Sequence, residues 1–191
     1  MSSYRNGTYL AFDGLGITNP SESDLKFLNL LRAWDESKQI DFQFVDSHLK
    51  TSQVRDSSQD STLKSKLRER MANSKNLLVV LSENTSYDRG LLNWEIETAV
   101  NDFELPVMLV YPSRYYFLSI TPTMRMMWPK SVVDGHNMKG WKFAHIPFRK
   151  EAIQQAINHY SVVDGVYPKD TDEVFKFRIS PRPSLYGLCS G

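Results

Sequence analysis

Asn76-Leu-Leu-Val-Val-Leu-Ser82, a short polar loop, then Gly90-Leu-Leu-Asn-Trp-Glu-Ile-Glu-Thr-Ala-Val100 is the stretch on which the fold turns. Its first half is an unbroken apolar run of strand length, the pattern of a strand covered on both faces in a parallel sheet. Its second half reads as a helix, with Leu92, Ile96, Ala99 and Phe103 on one stripe at helical spacing. Glu95 falls about 60° from the centre of that stripe, at roughly 100° per residue. A carboxylate there lies beside the core and near the carboxyl end of the preceding strand. Open α/β sheets bind their ligands at that edge.

Upstream, Thr8–Asp13 reads as a first strand, halted by Gly14 and Gly16. Ser21 or Ser23 can cap a helix running to about Ser37, with Phe27, Leu30, Leu31 and Trp34 on its apolar face. Ile40–Val45 is a second strand that ends at Asp46. Ser47 to about Asp60 is a polar loop at the ligand edge, of the kind that carries function or moves. Thr62–Ser74 is a helix with a narrow stripe, Leu63, Leu67 and Met71. Its charged outer faces suit solvent or a docking partner.

Downstream, Leu105–Tyr111 is a fourth strand, with Pro106 at its start, where a missing N–H is tolerated. Pro112–Gly140 is irregular and rich in aromatic residues and methionine. A segment of that length must fold over something or hold a short helix. Trp141–Ile146 is a fifth strand and Arg149–Tyr160 an amphipathic helix. Strands alternating with helices imply a five-stranded parallel sheet with helices on both faces. The alternation stops near Val162, which divides the chain into a domain at 1–161 and an extension at 162–191. Val174–Ile179 alternates Phe175, Phe177 and Ile179 and offers one more strand. With Tyr167 and Tyr186, those rings need burial. The Leu63–Met71 helix of the same chain or a second subunit could supply it.

Composition narrows the function. Hydrophobic residues are 41% and charged residues 24%, ordinary for a globular protein, and the net charge of +1 makes no case for nucleic acid or an anionic membrane. No apolar run approaches a membrane span, and the N-terminus carries no apolar signal core, so a cytoplasmic location is expected. A single cysteine, Cys189, excludes an internal disulfide. His48, His136, His145 and His159 show no ligand spacing, so no metal is expected and each reads as structural or solvated.

Several chemistries are absent. Gly14-Leu15-Gly16 has neither the spacing nor the lysine of a phosphate-binding loop, and a dinucleotide fingerprint lacks its third glycine. The third strand ends Leu81-Ser82-Glu83, without the aspartate of a receiver domain, and no nucleophile elbow is present. What remains is a set of residues near the carboxyl ends of strands: Phe12, Asp13, Asp46, Ser82, and Glu95 with Trp94 beside it.

A single carboxylate suits cleavage of an N-glycosidic bond whose leaving group is already cationic. Nicotinamide leaves NAD as a neutral base and needs no general acid, unlike the leaving oxygen of an ordinary glycoside. One anion can hold the ribose hydroxyls and stabilise the developing oxocarbenium charge. The bland alternatives are a dipole-stabilised surface acid for Glu95, a turn cap for Asp13, and packing for Trp94.

At these residues the chain resembles a family. The segments are Tyr9-Leu-Ala-Phe-Asp-Gly14, Phe44-Val-Asp46, Leu67-Arg-Glu-Arg70, Asn73-Ser-Lys-Asn-Leu-Leu-Val-Val-Leu81, and Trp94-Glu95-Ile96 followed by Ala99. They are similar to the bacterial TIR-like domains of Thoeris anti-phage systems, over about Thr8 to Tyr160. The chain departs from them at Leu15-Gly16, where many relatives carry a further acidic residue. The resemblance implies a flavodoxin-like TIR fold. It also implies an enzyme that cleaves NAD as its substrate, without a cofactor, and makes a cyclic or conjugated ADP-ribose signal. A separate effector would read that signal. The family's catalytic glutamate corresponds to Glu95, and its first-strand pocket wall to Phe12 and Asp13. Two other readings stay open: an N-deoxyribosyltransferase-like nucleoside enzyme, and a non-catalytic TIR-like module that works by self-association.

Overall fold

The computed structural model describes residues 5–13, 25–36, 44–46, 57–85, 87 and 90–179. The expected caps at Ser21 and Ser23, the Gly14–Gly16 turn, most of the loop after Asp46, and Tyr186 lie outside the described residues. Strands β1 (Gly7–Phe12), β2 (Phe44–Asp46), β3 (Ser74–Val80), β4 (Val107–Tyr111) and β5 (Phe143–Pro147) form the expected parallel sheet. Helices α1 (Leu25–Glu36), α2 (Ser57–Ala72), α3 (Gly90–Asn101) and α6 (Lys150–His159) cover its faces, with short α4 (Pro122–Arg125) and α5 (Lys130–Asp134) between β4 and β5. The order is β2-β1-β3-β4-β5-β6, where β6 (Glu173–Val174) pairs in parallel with β5. The extension thus adds a sixth, two-residue strand to the five-stranded sheet, shorter than the alternation from Val174 to Ile179 suggests.

The apolar runs split by residue parity, as a pleated strand requires. Tyr9, Ala11, Leu77, Val79, Leu109, Tyr111 and Phe143 face one core, with Leu67 and Met71 of α2, Ile96 and Ala99 of α3, and Met124, Trp128 and Val132. Leu10, Phe12, Leu78, Val80, Met108, Val110 and Ile146 face the other, with Leu31 of α1 and Ile153 and Ile157 of α6. That two-sided burial is why the strands carry continuous hydrophobic runs.

Two element starts differ from the sequence reading. Helix α2 begins at Ser57 and not Thr62, because Ser57–Asp60 holds no apolar residue to mark the helical period. Strand β3 begins at Ser74 and not Leu77. Its early part carries buried Asn76, whose side-chain amide donates to the carbonyls of Ile157 and Tyr160 at 2.9 and 2.6 Å. This amide ties the end of α6 to the sheet.

Phe175 and Phe177 of the extension pack away from the Leu63–Met71 helix. Phe175 packs on Tyr160 with ring centroids 5.6 Å apart, and Phe175 and Phe177 both join the α1/α6 core.

The segment between β4 and β5 is built rather than loose. Thr121 caps α4, with Pro122 in its first turn. A π-helical turn at Gly135–Lys139 follows α5 and ends on Gly140, which sits at φ 62°. Gly135 lies so close to the Trp141 ring that a Cβ there would stand 2.4 Å from Cε3.

Candidate active site

The strand order reverses between β1 and β3, so their carboxyl ends border the crevice in which open sheets place ligands. Phe12 and Asp13 close β1 and are buried; Ser82 follows β3 and is buried. Ser82 shapes the β3–α3 turn locally. Its Oγ accepts from the Asn84 N–H at 3.1 Å, and its own N–H donates to Thr85 Oγ1 at 2.9 Å.

Helix α3 seats Leu92, Ile96 and Ala99 on the sheet, and this turns the neighbouring Glu95 inward as well. Glu95 is only 1% exposed. The sequence pattern put it beside the core; the structure puts it within. Tyr9, fully buried on β1, donates its hydroxyl hydrogen to Glu95 Oε1 at 2.5 Å. Burial pushes the carboxyl up to about 8, while the Tyr9 hydrogen bond pulls it the other way. Among the described residues no cation pairs with it.

The remaining expected residues are spread around this pair. Phe12 lies on the opposite face of the sheet from Tyr9, in the α1/α6 core. Asp46 stands abreast of Leu10 in the ladder. Trp94 is half-buried against the α2/α3 core, with Lys64 Nζ 5.5 Å above its ring. That contact turns Trp94 toward α2, as packing requires.

Sequence reasoning missed two features. Tyr9 opens one of the segments that resemble the family but carries no site role there and reads as one more strand aromatic; only its inward parity with Ala11 hints at a shared face with α3. The second feature is a buried polar cluster at β4, β5 and the extension. Trp128 Nε1–H donates to Tyr111 Oη at 2.9 Å, which leaves the Tyr111 proton for His145 Nδ1 at 2.8 Å. His145 Nε2–H then donates to the Thr171 carbonyl at 3.1 Å. Burial lowers the His145 imidazole to about 4, so it stays neutral. Arg125 bridges from above the Trp128 ring to Asp172 at 2.6 Å. Trp128 is therefore built into the core. Tyr115 is exposed and lies under Arg149.

Among the described residues, no group of three or more His, Cys, Asp or Glu is placed to hold a metal. No helix among them is long and apolar enough to cross a membrane.

Residues 9–115 match the family described as Thoeris protein ThsB, TIR-like domain. The chain belongs to the ThsB TIR-like family. The matched region runs from β1 through β4 and includes α3, so Tyr9, Phe12, Asp13, Asp46, Ser82, Trp94 and Glu95 all fall inside it. Membership supports an NAD-related signalling role in anti-phage defence. In this ThsB-type chain β5, α6 and the extension lie beyond the match, so the second polar cluster joins matched Tyr111 to unmatched His145 and Asp172.

Proposed function

We propose that the protein cleaves NAD at the nicotinamide–ribose bond, with Glu95 as its catalytic carboxylate. The product would be a cyclic or conjugated ADP-ribose that activates a separate effector. The observation that carries this reading is a fully buried glutamate with no cationic partner among the described residues, on the helix after β3, in a ThsB TIR-like chain.

An acid buried this way is protonated in the empty site at neutral pH. A bound nicotinamide cation favours the anion, so the substrate supplies the charge that the protein lacks. The C1′–N bond then breaks with its electron pair leaving on nicotinamide. Glu95 stabilises the ribosyl cation until water or a hydroxyl or ring nitrogen of the substrate captures it. Asp13 and Ser82 would rim the ribose side at the strand ends, Phe12 and Asp46 the outer side, with Trp94 behind the helix. The chemistry is assigned to residues 1–161, and 162–191 to support of that unit. The non-catalytic reading would lead if Glu95 were salt-bridged into the surface; its burial, with no cation paired to it among the described residues, favours the catalytic one.

The test is incubation with NAD, alone and in lysate of phage-infected cells, with products resolved by mass spectrometry. Nicotinamide release is expected in one of the two conditions. Glu95→Gln is expected to lower it at least about a hundredfold, as for loss of one electrostatic stabiliser. Near-native turnover in the variant would remove Glu95 from the mechanism.

A further inference from the structure

We propose that Tyr9 is the positioning residue of this site: its buried hydroxyl fixes the Glu95 carboxyl and favours the anion that the reaction uses. The proposal rests on the reading of Glu95 as the NAD-cleaving carboxylate.

The geometry is specific. Tyr9 is in the middle of β1, which is held by ladders to β2 on one side and β3 on the other. A side chain on that strand is placed by the most constrained part of the sheet. Its ring lies in the core with Leu67, Met71, Leu77 and Ile96, and its hydroxyl reaches Glu95 Oε1 at 2.5 Å across 86 positions of sequence. A phenylalanine would fill the same volume, so packing alone does not call for the hydroxyl. Sunk in an apolar core, a hydroxyl costs stability unless it is hydrogen-bonded. A bond from a neutral donor to a carboxylate is stronger than the same bond to a carboxylic acid, so the hydroxyl selects the ionised form.

Four charged groups on the packed elements are engaged elsewhere. On α2, Lys64 lies over Trp94 and Arg68 pairs with Asp102 at 2.5 Å. On α3, Glu97 faces Lys139, and on α5 Lys130 pairs with Asp134. Asp13 follows β1, and the one titratable side chain of β3 is Lys75 near its amino end. Burial and Tyr9 are the influences that set the Glu95 carboxyl.

The experiment compares wild type, Tyr9→Phe, and 3-fluorotyrosine placed at position 9. The Glu95 carboxyl is titrated by ¹³C NMR, assigned through Glu95→Gln, and kcat/KM for nicotinamide release is measured across pH. Tyr9→Phe should raise the NMR midpoint by about one unit or more, the effect of a hydrogen bond to the charged form. The acid limb of kcat/KM should rise with it, so the rate at pH 7 falls about tenfold. The more acidic fluorophenol should move both the opposite way, and it leaves the fold intact if Tyr9→Phe does not. Opposite shifts of this kind are not produced by a packing role. An unmoved NMR midpoint in both variants would overturn the proposal. A midpoint that moves while the rate profile stays fixed would overturn instead the catalytic role of Glu95.

Discussion

Replacing Glu95 by glutamine is expected to stabilise the protein increasingly as the pH rises. The folded carboxyl holds its proton up to about 8, whereas in the unfolded chain it ionises near 4.5. Between those values the folded state binds more protons than the unfolded state. Stability from this group is therefore complete below pH 4.5 and is lost as the pH rises toward 8, at about 1.4 kcal/mol per unit. Glutamine keeps an acceptor for Tyr9 and has no such loss, so the variant should lead by roughly 4 kcal/mol at pH 8. In a domain of this size that is on the order of 10 °C in Tm.

His145 runs the other way. Its folded value is depressed to about 4 from 6.5, so its contribution is present above 6.5 and is lost as the pH falls toward 4. From about pH 4.5 to 6.5 the two slopes oppose, and these groups leave the wild type nearly level before it falls above 6.5. Glu95→Gln should show the mirror image, level above 6.5 and falling below. Thermal unfolding followed by circular dichroism from pH 4.5 to 8.5 makes the comparison. Parallel curves for the two proteins would refute the burial of the Glu95 carboxyl in an apolar site.

Two further changes test the segments around this core. Gly135→Ala puts a methyl group 2.4 Å from the Trp141 ring, and such overpacking costs about 1–3 kcal/mol; an unchanged Tm would refute the contact. Truncation after Ser161 removes the Asp170 carbonyl that accepts from Phe143 N–H, the Thr171 carbonyl that accepts from His145, and the Asp172 partner of Arg125. The Phe143 and His145 donors are buried, and stranding each costs about 1–3 kcal/mol, so a drop on the order of 10 °C in Tm or failure to fold is expected; a truncated chain that melts like the full one would show the extension to be dispensable.

The legible parts of this fold were those with a hydrophobic period. Leu77–Leu81 and the Leu92–Ile96–Ala99 stripe led to β3 and α3, and hence to Glu95, because burial on fixed faces writes itself into residue spacing. Ser57–Asp60 was invisible because a polar first turn has no period to read. The direction taken by Phe175 and Phe177 was equally hidden. Ring composition says that a segment must bury, but not against which surface, and the choice of β5 and α6 is made by long-range pairing. Tyr9 shows a third kind of silence. Its strand and facing were readable, but its partner lies on another element, and no local rule couples a tyrosine in the first strand to a glutamate in the third helix.

Two buried titratable sites among the described residues behave differently. The Tyr111–His145–Trp128 cluster is satisfied at each ring nitrogen and at the phenol, so it rigidifies the β4–β5 side and needs no visitor. Glu95 is different, because the hydrogen bond from Tyr9 leaves the cost of its charge largely unmet. A protein optimised for stability alone would place a glutamine or leucine there. Retaining an acid that opposes folding across the neutral range is reasonable where the missing countercharge arrives with a ligand. If the protein cleaves NAD as proposed, the pyridinium next to the ribose would carry that charge at the bond to be broken. The same term that weakens the empty protein would then strengthen binding of a cationic nucleotide, and it would be released when the neutral base departs.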